Sequence, residues 1–293
     1  MNHIRVPTPQ RLPGPAAIAA RGRFAAHRWL LARRVSQFVF LALFLSGSLF
    51  GFWIAKGTLA SSMTLDILPL TDPLFLLQSL LARHWPEATA LIGAGIVLTG
   101  YAATRGRLYC SWVCPVNPVA DLAQWARRRL GWKKSLRLER ATRYWILGGA
   151  LLAALATGTV VWEQVNPVTV LHRGLVFGGS AAFGAALAVA AAIFLFDLGV
   201  ADRGWCGHLC PVGAFYGLIG SRGRLAVALP DREACDDCLD CFAVCPEPHV
   251  IGPVLHAPKG SPSKIRDGDC TACGRCIDVC HKSVFAFSVG GQS

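Results

Sequence analysis

Cys235-Asp236-Asp237-Cys238-Leu239-Asp240-Cys241-Phe242-Ala243-Val244-Cys245-Pro246 is answered further along the chain by Cys270-Thr271-Ala272-Cys273-Gly274-Arg275-Cys276-Ile277-Asp278-Val279-Cys280. Each stretch has the spacing C-x2-C-x2-C-x3-C; proline closes the first, but His281 follows the second. Three thiolates this close wrap one corner of an iron–sulfur cubane, and the fourth reaches across to a second cubane. The spacing predicts two [4Fe-4S] clusters. Cys235, Cys238, Cys241 and Cys280 would hold one; Cys270, Cys273, Cys276 and Cys245 would hold the other. Zinc sites pair two short knuckles and do not need eight cysteines in this cadence. The absent proline after Cys280 loosens that turn without removing its ligand.

Upstream lies a second repeat. Arg107-Leu108-Tyr109-Cys110-Ser111-Trp112-Val113-Cys114-Pro115-Val116 matches Arg203-Gly204-Trp205-Cys206-Gly207-His208-Leu209-Cys210-Pro211-Val212 at an offset of 96 residues. An internal duplication of a two-helix unit explains the match. Three readings of Cys110, Cys114, Cys206 and Cys210 compete: a further Fe–S centre with two ligands from each half, redox-active thiols, or buried structural cysteines. Pro115 and Pro211 bias the cysteines before them away from the α region, so each can precede a new helix with proline at its first position.

These cysteines sit in an apolar chain. Of 293 residues, 53% are hydrophobic and only 16% charged, against about 25% charged in soluble domains. Four stretches approach the length needed to cross ~30 Å of hydrocarbon: Val35–Ile54, Ala88–Ala103, Tyr144–Trp162 and Leu175–Phe196. Seven basic residues precede the first, Arg5, Arg11, Arg21, Arg23, Arg28, Arg33 and Arg34, and ten lie in the second loop, among them Arg127, Arg128, Arg129, Lys133 and Lys134. The first loop has only Lys56 and Arg83, and the third only Arg173. The positive-inside rule then puts both termini and the second loop in the cytoplasm, where thiols stay reduced and disulfides are disfavoured. The leader's long apolar run and the lack of an A-x-A-type site argue against a cleavable signal. Leu65–Ala82 is apolar but interrupted by Pro69, Asp72 and Pro73, and is expected either to lie at the outer membrane surface with a short helix from Pro73 to Ala82 or to be an ordinary packed loop.

The expected architecture has three parts. A basic cytoplasmic segment covers 1–34. An all-α four-helix transmembrane domain, built on the duplicated two-helix unit, covers 35–220. A cytoplasmic α+β ferredoxin-like domain covers 221–293. The formal charge of +12 is no nucleic-acid footprint, because residues 197–293 carry nine basic and eleven acidic residues and the surplus lies wholly in the membrane half. No histidine falls within a predicted span, which argues against a b-type haem bundle. His84 and His172 flank spans on the outer side; an interfacial place is the simpler reading and handling of quinol protons the alternative. No P-loop, dinucleotide fingerprint or nucleophile elbow is present.

The spans, the paired C-x3-C-P motifs, the C-terminal two-cluster run and the segment Leu65-Asp66-Ile67-Leu68-Pro69-Leu70-Thr71-Asp72-Pro73 together resemble the ferredoxin-type quinol dehydrogenase membrane component of the periplasmic nitrate reductase system. The resemblance runs from about Arg33 to Phe287. It implies an electron-transfer subunit, not a stand-alone enzyme, in the bacterial inner membrane. Such a subunit oxidises quinol and passes electrons, with a soluble Fe–S partner, towards periplasmic nitrate reductase. The implied path runs from quinol through the Cys110/Cys114/Cys206/Cys210 region to the tail clusters or a partner. Tail clusters inside the cell and an acceptor outside are in tension, since ~30 Å of hydrocarbon is too far for one electron step. Related membrane ferredoxins assist copper-oxidase assembly or maintain nitrous oxide reductase; a non-catalytic redox sensor or scaffold is the alternative from another class.

Overall fold

A computed structural model describes residues 13–290 apart from 133, 137 and 259. Arg5, Arg11, Lys133 and Arg137, all among the basic residues of the leader and second loop, lie outside the described residues.

The leader forms α1 (Pro15–Ala25), kinked at Gly22, and continues into α2 (Arg28–Phe50), which ends at the left-handed Gly51. A three-stranded antiparallel meander follows: β1 (Ala55–Gly57), β2 (Ser61–Thr64) and β3 (Leu68–Thr71). Then come α3 (Pro73–Leu81), α4 (Ala88–Ala103), α5 (Leu108–Trp112), α6 (Val116–Leu130), α7 (Thr142–Thr157), α8 (Val161–Val165) and α9 (Pro167–Val176). Next, α10 (Ser180–Leu195) runs on as a π turn to Val200, and a second π turn, Trp205–Leu209, leads to α11 (Pro211–Ile219). The tail holds β4 (Leu225–Ala228), α12 (Asp240–Val244), α13 (Gly252–Leu255), β5 (Lys264–Ile265), α14 (Arg275–Val279) and β6 (Ala286–Val289), with strand order β5-β4-β6.

Several expectations need correction. The membrane half is not all-α: Ser61–Thr71 is too rich in Ser, Thr and Pro for a helix, and Leu65 and Asp66, both at positive φ, turn β2 back onto β3. This segment also packs closely on the helices. β3 lies against α4 where Gly93 leaves room, since a Cβ there would sit 3.0 Å from the Pro69 carbonyl carbon. At the end of β3, Asp72 Oδ1 accepts a hydrogen bond from Tyr216 of α11 at 3.1 Å. Two helices, Arg28–Phe50 and Ser180–Val200, are long and apolar enough to cross a membrane. The other two expected spans, α4 and α7, have 16 residues each and so extend only about 24 Å. The fourth stretch also divides: Gly178 and Gly179, both at positive φ, assign Leu175 and Val176 to α9. The third ends early at the left-handed Gly158, leaving Trp162 to α8.

The basic leader is docked on the tail. Arg21 donates to the carbonyls of Ile277, Asp278 and Cys280. The wholly buried Asp278 carboxylate accepts from the Trp29 and Leu30 amides at 3.1 and 3.0 Å. It therefore serves as a cap, supplied in trans, for the first turn of α2, whose own N-cap His27 makes no side-chain cap. Asp278→Ala is expected to strand these donors at a cost of about 3 kcal/mol and to speed tryptic cleavage at Arg21, Arg23 and Arg28; an unchanged digestion pattern would contradict the docking.

Candidate redox centre

In the tail, Cys235, Cys238, Cys241 and Cys280 line one cavity. Cys245 lies against Cys270 and Cys273, and Cys276 adjoins all three. The chain achieves this with paired left-handed residues. Asp237 and Leu239 in the first run, and Ala272 and Gly274 in the second, have positive φ at equivalent positions. Such turns curl successive amides inward, a geometry that receives anionic groups. Burial pushes the Cys241 thiol up to about 12, with Cys238, Cys280 and Cys235 adding to the shift. Four thiolates cannot share this space without a cationic core, which is the charge an iron–sulfur cluster would bring. Where the second run lacks proline, His281 Nε2 lies 3.0 Å from Asp236 and ties the Cys280 turn to the opposite loop. Gly274 is required for another reason: a Cβ there would meet Trp29 at 2.6 Å.

The duplicated motif converges likewise. Cys110, Cys114, Cys206 and Cys210 line a single cavity, and Pro246, Glu247 and Thr271 of the tail form part of its wall. The cavity thus lies against the loop carrying Cys245 and the loop opening at Cys270. Trp112, between the first two cysteines, donates to the Ala272 carbonyl at 3.1 Å. Cys206 lies within the second π turn, a local widening often found at functional sites. From the other side, Asn166, Pro167 and Val168 at the N-terminus of α9 line the same space. A helix N-terminus favours negative charge, as a thiolate-bound cluster would present.

The motif arginines hold the two halves together. Arg107 is buried and donates to Glu247 Oε1 at 2.8 Å, the Asp269 carbonyl at 3.0 Å and the Cys206 carbonyl at 3.3 Å. Arg143 bonds Asp269 and lies 3.6 Å from Glu247. Burial alone would raise the Asp269 carboxyl; His249, Arg143 and Arg107 hold it well below the usual carboxylate range. Arg203, the matching arginine of the second copy, donates to the Val244 carbonyl at 3.1 Å, next to Cys245.

Sequence reasoning had not extended the duplication far enough. Asp72-Pro73-Leu74-Phe75-Leu76-Leu77-Gln78 corresponds to Asn166-Pro167-Val168-Thr169-Val170-Leu171-His172 at an offset of 94 residues. Both are helix starts of one kind: Asp72 accepts from the Leu74 amide at 3.0 Å and Asn166 from the Val168 amide at 3.1 Å. The Asx-Pro pair followed by a polar residue near the second turn was the available signal. Of the two flanking histidines, His84 is exposed and bonds the Gly158 carbonyl at 3.0 Å. His172 is wholly buried.

A 4Fe-4S binding domain model matches residues 88–133 and again 180–228, once in each half, and a 4Fe-4S dicluster domain model matches 228–281. No solved structure matches the chain. The chain is 48% identical over 285 residues to the ferredoxin-type protein NapH of Escherichia coli, covering 97% of each. It is 50% identical over 273 residues to the methylamine utilization ferredoxin-type protein MauN of Paracoccus denitrificans, covering 93% of this chain and 94% of the relative. At 48% over 277 residues, MauN of Methylorubrum extorquens is equally similar, with 94% of each covered. With near full-length identity of this order, the chain belongs to the family of NapH and MauN ferredoxin-type electron-transfer proteins.

Proposed function

We propose that this protein oxidises membrane quinol and passes the electrons through three iron–sulfur sites in a row. The observation that carries this reading is the shared wall: the cavity lined by Cys110, Cys114, Cys206 and Cys210 is bounded by tail residues adjoining Cys245 and Cys270. Cys270, Cys273, Cys276 and Cys245 would hold the nearer tail cluster, and Cys235, Cys238, Cys241 and Cys280 the farther. One quinol becomes quinone by losing two protons to water and two electrons, and single-electron acceptance is the chemistry such centres supply. The protein's own residues position the sites, exclude water and set the local charge. We propose four spans, α2, α4, α7 and α10, in a bacterial inner membrane, with both termini cytoplasmic as the loop charges favour.

Electrons would go to a soluble Fe–S partner and on towards periplasmic nitrate reductase, as the resemblance to that system implies. A second reading rests on the equal similarity to MauN: the same quinol-linked module serving methylamine utilization. Growth of a deletion strain with nitrate as acceptor, against growth on methylamine, separates the two.

The central test is anaerobic iron and acid-labile sulfide content with EPR, on detergent-purified wild type and a Cys110→Ser/Cys206→Ser double variant. About twelve irons in wild type falling to about eight in the variant is the expected outcome. About eight in both would remove the membrane-face centre from the path.

A further inference from the structure

His172 is 1% exposed, and neither ring nitrogen has a hydrogen-bond partner among the described residues. Its counterpart in the first half behaves otherwise. Gln78, equally buried, accepts from the Trp162 amide at 3.1 Å and donates to the Leu74 carbonyl at 3.3 Å. The duplication thus placed a polar side chain at the same helical position twice, satisfied it once, and left it open once. A buried polar group left unpaired is destabilising, so the open one calls for a ligand.

His172 lines a groove of about 230 Å³ between α2, the start of α6 and α9, smaller than the ~300–1,000 Å³ sites that enclose a drug-sized ligand and of a size for a single ring. The walls are apolar: Phe44 packs edge-on to the imidazole at 4.6 Å between centroids, and Leu41 and Phe40 line the same side. Gln37 and Arg34 make one end polar. Phe38 and Leu175, also on the groove, are exposed on the outside of the helices, where lipid would lie. Val113 and Pro115, the residues on either side of Cys114, complete the inner wall.

Building on the function proposed above, we infer that this groove binds the quinol head group, with His172 accepting a hydrogen bond from a ring hydroxyl. A flat apolar ring bearing hydroxyls suits apolar walls with one open acceptor, whereas a lipid acyl chain would fill the walls and leave His172 unpaired. The head group would then lie one residue's width from Cys114, and its tail would leave past Phe38 and Leu175 into the bilayer.

The test uses the full chain in detergent with 2-heptyl-4-hydroxyquinoline N-oxide, a fluorescent quinol-ring mimic, and menadiol as reductant. His172→Leu should weaken mimic binding and raise the KM for menadiol at least tenfold, while the EPR spectrum of the dithionite-reduced clusters stays as in wild type. His172→Gln should recover part of the binding. Leu175→Trp, which blocks the groove from its exposed mouth, should reproduce the loss, and decides the matter if His172→Leu loses its clusters. Wild-type mimic affinity in Leu175→Trp and in a cluster-loaded His172→Leu, with menadiol reduction intact, would overturn the groove alone. Wild-type protein whose clusters take no electrons from menadiol would overturn the quinol-oxidising function, and this inference with it.

Discussion

Arg107→Ala protein should be about 3 kcal/mol less stable than wild type, because removing one partner of a buried ion pair leaves the other charge uncompensated. Arg107 and Glu247 are 2% and 3% exposed, and their contact joins the first cysteine motif to the residue after Cys245-Pro246. The loss should appear first as separation of halves: faster release of iron from the tail and faster proteolysis between β4 and α12. Arg107→Lys keeps the charge but not the fork that reaches Glu247 and two carbonyls together, so its effect should be intermediate. Pairing Arg107→Ala with Glu247→Ala should recover part of the loss, since the stranded carboxylate is gone. Acid should erode the wild-type advantage. The Asp269 carboxyl is depressed in the folded protein, so its stabilisation is complete at neutral pH and declines as pH falls through and below the ordinary carboxylate range. Equal melting temperatures for wild type and Arg107→Ala across that range would sink the argument.

The neighbouring residue should be harsher still. A Cβ on Gly106 would lie 1.7 Å from the Tyr216 carbonyl oxygen, and one on Gly220 would lie 1.6 Å from the Gly106 amide nitrogen. These are backbone atoms and cannot swing aside. Here the end of α4 meets the end of α11, and the chain crosses into the tail through the bonds from the Arg224 and Leu225 amides to the Ala103 and Thr104 carbonyls at 2.9 and 3.1 Å. Gly106→Ala should therefore cost more than about 4 kcal/mol, at the extreme of single substitutions. Immunodetection in membrane fractions would show little or no accumulated protein, and normal accumulation with a full cluster complement would refute the close packing. Gly100→Ala is a fitting control: it lies on the same stretch of chain with nothing near its Cβ position, and alanine suits a helix better than glycine.

How much of this was legible in the sequence depended on distance along the chain. The two tail cysteine runs were readable because each set of three cysteines is local, and their spacing has few other uses. The paired C-x3-C-P motifs were readable as a repeat, but their meeting around one cavity was not: that depends on contacts such as Arg107 to Glu247, 140 residues apart. The meander escaped detection because Leu65–Leu81 is apolar enough to pass for surface-seeking chain, and hydropathy does not tell an element lying on helices from one inserted between them. The Asx-Pro helices escaped because their offset of 94 differs from the 96 of the cysteine motif, and only the proline and a leucine are shared between the copies. The bounds of α4, Ala88–Ala103, were legible, whereas the apolar window of the third stretch overran the left-handed Gly158 that ends α7.

The capping of α2 by Asp278 bears on how the protein is made. The carboxylate that closes the first turn of this helix is 248 residues downstream of the Leu30 amide it binds. As a span, the helix would therefore enter the bilayer uncapped during synthesis, and the leader has nothing to dock on until α14 has emerged. Because α14 also carries Cys276 and precedes Cys280, its placement is tied to filling of the cysteine sites. With the cysteine sites filled as proposed, closure of the leader over the tail would follow cluster insertion, and a protease that recognises the loose arginine-rich end would then discriminate loaded molecules from those lacking iron.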